Sequence, residues 1–271
     1  MKGALSCLSP GNGRCNRSEF PSEARFPSML IFHYHLFKNA GTSVDEMLKA
    51  NFGDKWDHAE FRNPVKKNSN VDEVTEYLKQ RPQLLAFSSH TALLPLPQLG
   101  RPVFPIFFIR HPIDRIKSAY TFERQQIADT HGARLAKEQD FTGYVRHLLD
   151  NPRHRQARNF QTSRLACNEP PENGTELERA MRTLDALSFV GLVEQYDRSI
   201  ERLRQCLTPF IPSFEGVIVH TNKTRARLEP MQSALQTVEQ AIGSELCADL
   251  MAANTDDMAL YGRVQADYAS H

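Results

Sequence analysis

Cysteine is scarce in this chain, and long apolar runs are absent. The five cysteines, Cys7, Cys15, Cys167, Cys206 and Cys247, never fall at Cys-x-x-Cys spacing. That pattern indicates neither a zinc site nor a disulfide framework, and it suits a reduced, cytoplasmic setting. No run approaches the roughly 18 apolar residues of a membrane-spanning helix, so no integral membrane segment is expected. Residues 1–28 hold no secretory core either; rich in Gly, Ser and Pro, they read as a flexible extension. An excess of one charge is also missing. Lys and Arg number 33 against 32 Asp and Glu, which gives no case for nucleic acid. The Walker pattern of two glycines separated by four residues and followed by Lys and Ser/Thr does not occur. What remains is an ordinary globular balance, 40% hydrophobic and 24% charged over 271 residues. That length holds one large α/β domain or two small ones; residues 29–271 are read as one folded domain.

The most informative stretch is Leu36–Ser43, Leu-Phe-Lys-Asn-Ala-Gly-Thr-Ser. An apolar run from Met29 precedes it. Val44, Met47, Leu48 and Phe52 follow at helical spacing. The order is strand, tight turn, helix, with Gly41 closing the turn and Thr42 or Ser43 capping the helix. Free amides and the positive end of the dipole then face whatever lies over the turn. Lys38 adds a full charge and two hydroxyls add donors, so a phosphate or sulfate site is expected.

Gln83–Phe87 reads as a second buried strand and leads to Ser88-Ser89-His90. In a parallel sheet, ligands bind beyond the carboxyl ends of strands, which puts His90 on the rim that carries Lys38. Val103–Ile109 is a nearly continuous apolar run of the kind covered on both faces, although Pro105 is awkward inside it. It runs into Arg110-His111-Pro112, and a helix is expected from Pro112 to about Ala128. Arg110 leaves the strand end and Ser118 lies two turns into the helix. An arginine fork suits phosphate oxygens, whereas an ion pair with Asp114 is the plainer use of the same side chain.

Farther along, helices are expected over Asp72–Leu78 and Phe141–Leu149, and Thr175-x-x-Glu178 is a capping box. Phe189–Val193 is a further strand candidate. Closing helices start at Pro230, with Met231, Leu235, Val238 and Ile242 inward, and near Asn254.

Lys38-Asn39-Ala40-Gly41-Thr42-Ser43 resembles the 5′-phosphosulfate loop of sulfotransferases that use 3′-phosphoadenosine 5′-phosphosulfate (PAPS). The usual form of that loop is Pro-Lys-x-Gly/Ala-Gly/Ser-Thr-Ser; here Phe37 stands in place of Pro. Arg110-His111-Pro112-x-x-Arg115-x-x-Ser118 resembles the family's 3′-phosphate signature. Arg158-Asn159-Phe160-Gln161-Thr162 is similar to an Asn-x-Gln-Thr element that lies along the cofactor and acceptor cleft. Phe189–Asp197 and Asn254–Tyr261 are similar to structural elements of the same family. The resemblance spans residues 29–265 and points to the heparan sulfate 2-O- and related carbohydrate sulfotransferases.

This resemblance implies a three-layer α/β/α, P-loop-like domain with a mostly parallel sheet. It implies PAPS as co-substrate and an acceptor hydroxyl, by family default on a saccharide. Asn39 to Ser43 would cradle the 5′-phosphate, Arg110 and Ser118 the 3′-phosphate, and a late basic residue, Lys223 or Arg225, would close over the nucleotide. Lys38 would neutralise the leaving oxygen and His90 would be the general base. Arg115 would be an architectural ion-pair partner. No metal is expected, since no carboxylate cluster of ligand type lies on these loops. A bacterial cytoplasmic enzyme fits best. Two other functions share the fold: a nucleotide-dependent phosphotransferase, which would bind ATP and magnesium, and a non-catalytic anion-binding protein.

Overall fold

A computed structural model describes residues 29–62, 69–218 and 231–270. The expectations for residues 1–28 and for Lys223 and Arg225 lie outside these. Among the described residues, five strands form one parallel sheet in the order β2-β3-β1-β4-β5. They are β1 (Leu30–Tyr34), β2 (Trp56–His58), β3 (Ala86–Ser89), β4 (Val103–Ile109) and β5 (Val190–Leu192). The central strand β1 has β3 on one side and β4 on the other. Their carboxyl ends therefore lie side by side, and the chain after each one builds the site.

Alternation along β1 decides which residues face which layer. Leu30, Phe32 and Tyr34 join Phe87, Phe107 and Ile109 in one core. That core is covered by α2 (Val71–Lys79), α6 (Phe160–Ala166), α7 (Glu176–Ala186) and α11 (Thr255–Ala269). Full burial of each of these phenylalanines contributes roughly 1.5–3 kcal/mol. On the other face, Ile31 packs with Ala86, Ile106 and Phe108 under α1 (Gly41–Phe52) and α8 (Tyr196–Leu207). His33 and His35 share that parity and point toward α1. A third core joins α3 (Pro112–Gln125), α4 (His131–Glu138), α5 (Phe141–Asp150), α9 (Met231–Ile242) and α10 (Ser244–Ala252).

The expected α/β class and parallel sheet are observed, with local differences. The strand read over Gln83–Phe87 is β3, shifted to Ala86–Ser89, and the strand read over Phe189–Val193 narrows to Val190–Leu192. The helix after Pro112 stops at Gln125. In α9 the buried stripe is Ala234, Val238 and Ile242, with Met231 and Leu235 only half-buried. The Thr175–Glu178 capping box is formed.

Pro105 proves harmless. Leu30 N–H donates to the Pro102 carbonyl, so the even-numbered residues of β4 face β1 and the odd-numbered ones face away. On that far side β5 pairs only from Phe107 onward, and the N–H that Pro105 lacks has no strand to meet.

Candidate active site

The loop after β1 reaches α1 through two left-handed residues, Lys38 (φ 65°) and Ala40 (φ 61°). Ala40 occupies the cap position of α1 with no side-chain cap. The expectation that Thr42 or Ser43 caps the helix is therefore corrected: both lie inside the first turn. The amides of Gly41 and Thr42 are among those that helix geometry leaves without an internal partner. Gly41 serves space rather than the turn, because a Cβ there would fall 1.9 Å from Cδ2 and Nε2 of His35.

Asn39 differs from the expectation of a ligand contact. Its side chain is buried and turned inward, donating to the Phe108 carbonyl (2.6 Å) and to Gln161 Oε1 (2.7 Å). Gln161 also accepts the Arg110 amide at 2.9 Å and donates to the Arg110 carbonyl at 2.9 Å. Gln161 Nε2 further reaches Asp257, which in turn accepts the amides of Gln161 and Thr162. The Asn-x-Gln-Thr element is thus an internal keystone that ties the loop to the end of β4, and both Gln161 and Thr162 are fully buried. Its resemblance to a cleft element marked it as functional, but the polar side chains of Gln161 and Thr162 are spent inside the protein.

Arg110 is paired with Asp114, at 2.8 Å through Nε and 2.7 Å through Nη2, and its Nη1 donates to the Lys38 carbonyl at 2.9 Å. The plainer use of this arginine is realised, and through the same side chain the end of β4 grips the loop after β1. The Lys38 ammonium rests 4.4 Å over the Phe122 ring. Burial, aided by the neighbouring Arg110 charge, pushes the Lys38 pKa down to about 8. Asp114, Ser118 and Phe122 recur every four residues and line one stripe of α3. One end of the stripe holds Arg110 and the other carries Lys38, so Ser118 lies between the two cations. Arg115 is fully buried, with its guanidinium 4.5 Å from the Phe160 ring and a bond to the Gln156 carbonyl. It is architectural as expected, but through an aromatic face and a carbonyl.

His90 follows β3 and its side chain is 49% exposed. Its Nδ1 meets Glu60 Oε1 at 2.7 Å, and its ring stacks on His35 with centroids 3.7 Å apart. Glu60 also takes the His90 amide and the Thr91 hydroxyl. Burial works to raise the Glu60 pKa, but these hydrogen bonds outweigh it and hold the carboxyl at about 2. Glu60 carried no motif, and sequence reasoning missed it. Trp56-Asp57-His58, the edge strand that delivers it, is short and polar.

Beneath the loop, Asp45 on α1 accepts from His33 Nδ1 (2.7 Å) and His35 Nδ1 (2.8 Å). Burial pushes the His35 pKa down to about 4 despite that carboxylate. Three such groups invite a metal ion, but the residues do not fit one. Each Nδ1 is already taken up by one oxygen of Asp45, so the three groups satisfy one another by hydrogen bonds.

The sheet therefore brings His90, His35, Gly41, Lys38 and Arg110 into one continuous chain of contacts along its rim. Compared with known proteins, residues 25–262 match the Sulfotransferase family. An uncharacterized protein of Archaeoglobus fulgidus is 36% identical over 244 residues, 87% of this chain and 96% of that one. Among solved structures, a sulfotransferase from Alicyclobacillus acidocaldarius is similar at 16% identity. The match covers 88% of this chain and 99% of that one, with a TM-score of 0.33. No helix among the described residues is long and apolar enough to cross a membrane.

Proposed function

Since the chain belongs to the sulfotransferase family, we propose that it moves a sulfuryl group from PAPS to an acceptor hydroxyl, on a carbohydrate or glycoconjugate. Residues 29–271 form its transferase domain, with 1–28 as an extension. The free thiols Cys167 and Cys247 suit a reducing, cytoplasmic setting.

One observation carries the reading most strongly. His90 stacks on His35, His35 packs under Gly41, and the Lys38 carbonyl of the same loop is held by Arg110. A base, an amide-rich helix start and a phosphate-type arginine are thereby linked across three neighbouring strand ends. His90 takes the acceptor proton as general base. The amides of Ala40, Gly41 and Thr42 hold the 5′-phosphate oxygens, that of Ser43 being spent on the Ala40 carbonyl. Lys38 swings off Phe122 to neutralise charge on the departing bridging oxygen. Arg110 and Ser118 hold the 3′-phosphate, with Asp114 giving up part of its hold on the arginine. Asn39 contributes by fixing the loop. The donor supplies the sulfuryl group and leaves as adenosine 3′,5′-bisphosphate, and no metal takes part.

Thermal unfolding with adenosine 3′,5′-bisphosphate, AMP, ADP, and ATP plus magnesium tests this. A ligand at 100 times its Kd adds about 2.7 kcal/mol of stability. Stabilisation by the bisphosphate alone is expected. A shift with ATP and magnesium alone would turn the reading to phosphoryl transfer, and no shift with any nucleotide would remove the donor site.

A further inference from the structure

The His90 ring is held on two sides by groups that the donor site does not use. On its edge, Glu60 Oε1 lies 2.7 Å from Nδ1 and 3.2 Å from the His90 amide. Glu60 Oε2 accepts from the Thr91 hydroxyl at 2.7 Å. On its face lies His35, fixed by Asp45, which also holds His33. Glu60 is ionised and has no proton to give, so Nδ1 of His90 is the donor. In the neutral ring that assigns the proton to Nδ1 and leaves Nε2 bare. The same reasoning applied to Asp45 makes His35 a donor through Nδ1, and burial keeps its ring a neutral wall.

We propose that Glu60 is the positioning residue for His90. It selects the tautomer that turns a bare Nε2 toward the acceptor hydroxyl, and it balances the imidazolium charge once that nitrogen has taken the proton. The proposal rests on His90 being the base. In the step it serves, the acceptor O–H proton passes to Nε2 as the acceptor oxygen bonds sulfur and the bond from sulfur to the bridging oxygen breaks. The imidazolium then donates from both nitrogens, and Glu60 is already seated on one of them. The His35 wall stops the ring from turning away. A misplacement of about 1 Å at such a group lowers turnover roughly a hundredfold.

The alternative role for Glu60 is a staple between the segment after β2 and the loop after β3, and three variants separate the two. With ring nitrogens labelled with 15N, His90 in the natural protein is expected as the Nδ1–H tautomer. Glu60→Ala should pass to the Nε2–H form that free imidazole side chains prefer. Glu60→Gln should keep the Nδ1–H form, because its oxygen still accepts. Thr91→Val removes the other half of the staple and should leave the tautomer unchanged while lowering the melting temperature. With labelled PAPS and desulfated heparin, Glu60→Ala should lower kcat about a hundredfold at unchanged KM for PAPS. Glu60→Gln should lower it about tenfold, having lost the charge-assisted part of the bond. An unchanged tautomer or an unchanged kcat in Glu60→Ala would overturn the proposal, as would an equal loss in Thr91→Val. If the natural protein neither binds the bisphosphate nor transfers sulfate, the proposed function fails, and the nitrogen spectra still decide whether Glu60 sets the ring.

Discussion

Arg110 and His90 follow the two strands that flank β1 at the same sheet rim, yet they are held in different ways. The Arg110 side chain is 15% exposed. Its backbone is bonded on both sides by Gln161, and its guanidinium spans Asp114 and the Lys38 carbonyl. His90 is 49% exposed and rests on two side chains. Under the proposed function the first region takes a small ligand of constant shape, so its groups are preorganised and buried. The second receives the acceptor, and only the reacting ring is fixed there, leaving the space around it open. A single rim can thus be strict about its donor and permissive toward its acceptor.

The largest expected effect lies at the open end. His90→Ala should lower kcat by about 10²–10⁴, the usual range for a general base, while affinity for adenosine 3′,5′-bisphosphate stays within twofold of the natural protein. Equal turnover in the variant would sink the assignment, and a parallel loss of nucleotide binding would erase the contrast between the two regions. Next comes the buried end. Arg110→Ala should weaken adenosine 3′,5′-bisphosphate by about 10–100-fold, the worth of one or two bonds to a charged group. Adenosine 5′-phosphosulfate, which lacks the 3′-phosphate, should lose far less in calorimetric titration; equal losses would mean that Arg110 acts only through the loop it grips.

The smallest effect sharpens the comparison through pH. Lys38 holds its proton below about pH 8 in the free protein, and an arriving anion favours the charged form. Bisphosphate affinity should therefore fall as pH rises from 7 to 9, by at most about tenfold if the bound lysine stays charged. Lys38→Arg, whose charge persists, should flatten that slope. A slope that survives the substitution would assign the titration to another group.

The part of the rim proposed to hold the donor could be picked out in the sequence because its residues sit together. Lys38 to Ser43 form one contiguous turn, and Arg110 and Ser118 keep a spacing that only a strand followed by a helix gives. What sequence could not separate is contact with a ligand from contact with the protein. Asn39 and Gln161 fall in stretches that resemble family elements, and they look functional for that reason. They turn out to meet each other, since two strand ends packed this closely leave carbonyls and amides that need internal partners. Gly41 was recognised as necessary for the wrong reason, its neighbour His35 being invisible without the fold. Glu60 had no local signal at all. It lies 30 residues from His90, on a segment reached through a strand too short and polar to stand out.

The Gln161 keystone also orders events in time. Asn39 meets it across 122 residues of chain, and Gln161 is itself held by Asp257, another 96 residues on. Contacts of such separation form late, because the intervening chain must first be closed into a loop. The loop after β1 leaves the ribosome with its partner Gln161 still unmade, and the Asp257 that steadies Gln161 arrives only with α11. The loop between β1 and α1 is therefore made well before it becomes rigid, and a nascent chain lacks the complete clamp until α11 has been made.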